Sequence, residues 1–121
     1  MARAAFSGLE IRAASQLASL LASDGHEILL QNHVIAVRDL LRADIVFVGG
    51  DREHYLPLLR WLRAMDPILP VVVVARLPET SEWLDVLDAG ATDYCVPPFD
   101  LRHIRSLIAW RAGIPSSAAA V

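Results

Sequence analysis

Asp44-Ile-Val-Phe-Val48, stopped by Gly49-Gly50, and Val71-Val-Val-Val-Ala75 are the two stretches that decide the fold. Both are apolar at consecutive positions rather than at alternate ones. Each therefore hides both faces, as a central strand of a parallel sheet does when helices cover it on either side. Between them, His54 to Met65 carries Leu58, Leu59 and Leu62 at helical spacing, with Pro57 expected in the first turn, where a missing N–H costs little. Strand, helix, strand at this spacing implies a right-handed parallel crossover.

The same alternation extends outward in both directions. Towards the N-terminus, Arg3 to Phe6 is a short, weak strand. Glu10 to Ser23 is a helix with Ile11, Ala14, Leu17 and Leu21 inward and Gly25 at its end. Glu27 to Leu30 is a second strand, and Asn32 caps a short helix with Val34, Val37 and Leu41 inward. Towards the C-terminus, Thr80 or Ser81 caps a helix over Glu82 to Ala89, with Leu84 and Leu87 inward and Gly90 closing it. Asp93 to Val96 is a fifth strand before Pro97-Pro98. Leu101 to Arg111 is a last helix with Ile104, Leu107 and Ile108 inward.

Five βα units predict an α/β fold with a doubly wound, five-stranded parallel sheet of flavodoxin-like order 2-1-3-4-5. Residues 1–112 are expected to form this one domain and residues 113–121 a linker or frayed tail. In such a sheet a functional site lies at the carboxyl ends of the strands. Here those ends are Phe6-Ser7-Gly8, Gly49-Gly50-Asp51, Ala75-Arg76 and Val96-Pro97.

Composition narrows the function. The chain has 121 residues, 55% hydrophobic and 21% charged, which suits one folded domain and not a disordered segment. A net charge of −3 argues against a nucleic-acid surface. All 11 basic residues are arginine, so chemistry that depends on a lysine is excluded. The single Cys95 rules out an internal disulfide and reads as a small buried hydrophobe. The run from Ile68 to Ala75 is broken by Pro70 and falls short of the ~20 residues of a membrane span. Glu10 and Arg12 break any signal-peptide core. A cytoplasmic protein with no membrane contact is expected. His26, His33, His54 and His103 lack ligand spacing, so neither metal nor cofactor is expected.

The second half resembles a known family. Asp85-Val-Leu-Asp-Ala-Gly-Ala-Thr-Asp-Tyr94, then Cys-Val-Pro-Pro-Phe99, is similar to the AGA-x-DY-x-x-KPF signature of response-regulator receiver domains (CheY-like). Ala43 to Gly49 and Pro70 to Ala75 resemble the family's third and fourth strands. The likeness covers residues 2 to 111 and is strongest from Asp44 onward.

The resemblance implies a phosphoryl-transfer pocket of five groups: a Mg²⁺-binding acid pair, an acceptor Asp, a Ser or Thr, and a Lys. On this chain the acid pair falls on Phe6 and Ser7, with Gly8 next in line. The acceptor falls on Gly49, the hydroxyl on Ala75 and the lysine on Pro97. None of the five side chains is present. Glycine cannot form an acyl phosphate. Without the acids, Mg²⁺ loses its hard oxygen ligands. Alanine and proline offer a phosphoryl oxygen no donor. A degenerate pseudo-receiver is therefore expected, acting in two-component signalling as a phosphorylation-independent interaction or dimerisation module and not as an enzyme.

Other residues carry subsidiary expectations. Asp51 is either a displaced phosphoacceptor or a solvated loop acid. Gly49-Gly50 is either an anion-binding nest or a tight turn. Tyr94 matches the family's switch aromatic; it is expected at the sheet edge with its hydroxyl on solvent or a backbone partner. Pro97-Pro98 matches a cis peptide bond. The resemblance implies that partners, or a second copy, dock on the fifth strand and the helices beside it. Trp83, Asp88, Asp93, Arg102, Arg105 and Trp110 are candidates there, with Asp85 a further acid and the tryptophans as anchors. The Pro-Ser-Ser-Ala tail suggests a following effector domain. A small-molecule sensor using the crevice left by Gly49, Ala75 and Pro97 is the alternative.

Overall fold

The structure is a computed structural model that describes residues 2–31, 37–75 and 80–111. Its elements are β1 (Arg3–Ser7), α1 (Ile11–Ser23), β2 (Glu27–Gln31), a 3-10 helix (Val37–Arg42), β3 (Ile45–Val48), α2 (Arg52–Met65), β4 (Val71–Val74), α3 (Thr80–Asp88), β5 (Asp93–Cys95) and α4 (Leu101–Arg111). All strand pairs are parallel, in the order β2-β1-β3-β4-β5. This is the doubly wound arrangement expected from the two apolar runs, and β3 and β4 stand inside the sheet.

Strand alternation divides the core into two layers. Ala4 and Phe6 of β1, Ile45 and Phe47 of β3, and Val72 and Val74 of β4 face Ala13, Leu17 and Leu21 of α1 and Ile104 of α4. Ala5, Val46, Val48, Val71 and Val73 face Tyr55, Leu59 and Leu62 of α2 and Val86 of α3. Phe6 and Phe47 are register partners, and their rings meet edge to face with centroids 5.7 Å apart. That geometry adds quadrupole attraction to the burial of two large apolar groups.

Several local expectations need correction. Ile11 is 84% exposed, because the inner stripe of α1 runs through positions 13, 17 and 21 and residue 11 lies well off it. α2 begins at Arg52 with Asp51 as its N-cap, so Pro57 sits inside the helix and Tyr55, not Leu58, is the buried partner of Leu59 and Leu62. Leu58 packs at the margin of that layer. Thr80 and Ser81 belong to α3 rather than preceding it, and Val96 lies beyond β5. Leu84 is 56% exposed and Val86 takes the inner position of α3. The short second helix is a 3-10 segment with Leu40 buried. Its expected cap Asn32 and inner Val34, like residues 112–121, lie outside the described residues.

Among the described residues, no helix is long and apolar enough to cross a membrane. Cys95 is partly buried beside the α1–α4 layer, and burial pushes its thiol up to about 12.

Two substitutions check the layer assignment. Phe47→Ala removes a fully buried ring and should cost about 3–5 kcal/mol in urea unfolding. Ile11→Ala should change stability by no more than about 0.5 kcal/mol.

Candidate functional site

The carboxyl ends of β1 and β3 converge closely. The Gly49 N–H donates to the Ser7 carbonyl at 2.9 Å, extending the ladder one residue past β3. Gly8 follows with φ +75°, a conformation that side chains with a Cβ rarely adopt. A Cβ on Gly8 would lie 2.6 Å from the Gly49 carbonyl oxygen and 2.9 Å from His54 Nε2. The two backbones therefore meet because residue 8 is glycine, and the imidazole from the first turn of α2 stands against it.

Gly49 is itself buried. A Cβ there would fall 2.9 Å from Leu9 Cδ2 and 3.1 Å from the Val74 carbonyl oxygen. Leu9 is 6% exposed, so its side chain occupies the space next to the acceptor position. Phe6 and Ser7 are buried, and Phe6 belongs to the α1–α4 layer. Ala75 is half-buried, and its N–H donates to the Cys95 carbonyl at 2.9 Å. The Pro97–Pro98 bond is cis, as the sequence suggested.

Asp51 is exposed. Its side chain makes no capping bond, while its carbonyl accepts the His54 and Tyr55 N–H groups at 2.8 and 3.0 Å. The strand ends thus bring Phe6, Ser7, Gly8 and Gly49 together with two residues that sequence reasoning passed over, Leu9 and His54. Leu9 carried a usable signal: an apolar residue directly after a strand-ending glycine.

A second polar cluster joins three elements on the other side of the sheet. Glu82 of α3 accepts the Tyr55 hydroxyl from α2 at 2.5 Å and the Tyr94 hydroxyl from β5 at 2.8 Å. Tyr94 packs against the α2–α3 core layer. Its hydroxyl partner is a carboxylate, not the solvent or backbone partner expected. Burial first, then the Glu82 bond, raise the Tyr55 hydroxyl well above its usual range, so it stays a donor at physiological pH.

The face of β5, α3 and α4 is less free than its sequence suggests. Trp83 and Leu84 are exposed apolar neighbours, 43% and 56%. Asp88 and Arg102 are exposed too. Asp93 is engaged within the molecule, pairing with His103 at 2.5 Å and accepting the Tyr94 N–H. Arg105 donates twice to Asp24 at the end of α1, at 2.6 and 3.0 Å. That guanidinium, helped by His26, holds the Asp24 carboxyl below its usual range. Asp85 pairs with Arg52 at 2.8 Å. Trp110 lies on α4, but its side chain is outside the described residues.

No family model matches the chain. It is 34% identical over 70 residues to the response regulator protein PmrA of Pseudomonas aeruginosa, covering 58% of this chain and 30% of that protein. It is 35% identical over 88 residues to the response regulator MprA of Mycobacterium leprae, covering 73% of this chain and 37% of that one. Its fold matches a response regulator from Thermotoga maritima with a TM-score of 0.76 at 23% identity, over 88% of this chain and 97% of that one. Together these likenesses support a response-regulator receiver domain. The structural match speaks for the fold. The chain spans about a third of the length of these two curated relatives.

At Gly49, packing leaves little room for a carboxylate. Gly49→Asp should destabilise the fold by about 1–3 kcal/mol in urea titration, the usual cost of overpacking. The double variant Gly49→Asp with Leu9→Ala should lose less than the sum of the two single changes.

Proposed function

We propose that this receiver domain is a pseudo-receiver: a phosphorylation-independent protein-interaction module of two-component signalling, working in the cytoplasm. Receiver domains are signalling modules rather than typical enzymes, and this chain lacks the side chains for their one chemical step. The observation that carries the reading is at Gly49, where even a Cβ meets Leu9 and the Val74 carbonyl. An acyl phosphate needs a carboxylate, space for a tetrahedral group and cationic or metal partners. The strand ends offer glycine, proline, a buried leucine side chain and an exposed imidazole instead.

The same packing weighs against the small-molecule alternative, since Leu9 and His54 occupy the ground that Gly49 would have vacated. Asp51 is the exposed N-cap residue of α2, and its side chain makes no capping bond.

Function then falls to the surface. Exposed aromatic residues supply most of the energy at interaction faces, while charges at the rim tune rate and specificity. Trp83, with Leu84 beside it, is the anchor on the face of β5, α3 and α4, and Asp88 and Arg102 are its exposed charges. A protein partner, or a second copy, is the occupant this face fits.

Incubation with acetyl phosphate and Mg²⁺ followed by intact-mass measurement tests the reading. The expected result is an unmodified chain. A phosphoryl adduct that disappears in Asp51→Asn would overturn it.

A further inference from the structure

α3 is attached differently from its neighbours. α1 and α2 each sink three side chains fully into the core. Among the described side chains of α3, Val86 alone is fully buried, Leu87 is half-buried, and Trp83 and Leu84 point outward. Apolar burial of one valine and half a leucine is a weak anchor for a helix of nine residues.

Polar contacts take over the task. The Glu82 carboxylate uses one oxygen for Tyr55 of α2 and the other for Tyr94 of β5. Both are hydroxyl-to-carboxylate bonds, which are stronger than neutral ones. Both tyrosine rings pack into or against the apolar layer, so the bonds are partly shielded from water. One turn further along α3, Asp85 meets Arg52 of α2, but that pair is about half exposed and contributes little. Glu82 is therefore the principal polar tie of α3, and it immediately precedes the exposed Trp83.

We propose that Glu82 is a latch: through Tyr55 and Tyr94 it fixes α3 on the domain and so presents the Trp83–Leu84 edge in a single conformation. Opening the latch frees Tyr94 and the edge together, which makes it the point where a partner or modifier would regulate this face. The regulatory consequence rests on the interaction-module reading above, whereas the latch itself rests only on the geometry.

Amide hydrogen exchange separates the two. In Tyr55→Phe with Tyr94→Phe, which keeps both rings, and in Glu82→Ala, amides of residues 82–88 should exchange at least about tenfold faster than in the wild type, as expected when one charge-assisted bond or more is lost. Amides of α1, β1 and β3 should be unchanged. Trp83→Ala, which leaves the latch intact, should exchange like the wild type in α3. Unchanged α3 protection in both latch variants would overturn the proposal, as would equal acceleration in every element, which would mark a general loss of stability. Failure of the surface reading would show separately, as partner binding or self-association indifferent to Trp83→Ala while the exchange pattern persists.

Discussion

The carboxyl ends of β1 and β3 approach so closely that only glycine fits at position 8, where a Cβ would lie 2.6 Å from the Gly49 carbonyl oxygen. The Gly49 N–H continues the ladder onto Ser7, and Gly8 turns away with positive φ against the Gly49 carbonyl. Every later feature of the strand-end crevice follows from this contact. Because Gly8 turns there, Leu9 folds back beside Gly49, and because α2 starts at Arg52, the His54 ring reaches over the same glycines. A crevice that in a phosphate-handling domain must hold charge and solvent is here a packing joint.

That joint changes what the fold can be used for. A doubly wound sheet gathers its loops at the carboxyl ends of the strands, and those loops normally carry function. With Leu9 set against Gly49 and His54 against Gly8, the large exposed apolar side chains among the described residues are Ile11, Met65, Ile68 and the adjacent pair Trp83 and Leu84 on α3. Asp93, Arg105 and Asp85 already face charged partners on α4, at the end of α1 and on α2, which lessens the charge they offer to a partner. The face of β5, α3 and α4 is thus partly held by its own ion pairs, with Trp83 left to the outside.

The architecture was legible in the sequence because β3 and β4 are apolar on both faces, a pattern only a covered parallel strand explains. That residue 49 is a glycine and that the chain has no lysine was legible for a simpler reason: a missing side chain is visible without coordinates. Helix faces were harder. Leu84 looked inward because it shares a period with Leu87, yet Val86 holds the buried position in the α2–α3 layer. Tyr55 lay inside the expected helix but was missed because Leu58, more apolar, was given the inner face with Leu59 and Leu62, which hid the 55, 59, 62 stripe. The Glu82 bridge had no local signal at all. Its three residues come from α2, α3 and β5, and only the folded chain brings them within hydrogen-bond distance.

The central claim is that the strand-end crevice is a packed joint and not a phosphoryl site. The most direct measurement is an amide NMR titration of the full chain with Mg²⁺ and then beryllofluoride, a phosphoryl mimic. The account predicts no saturable shift at residues 7–9, 49–51 or 75. Saturable, Mg²⁺-dependent shifts centred on those residues would contradict it.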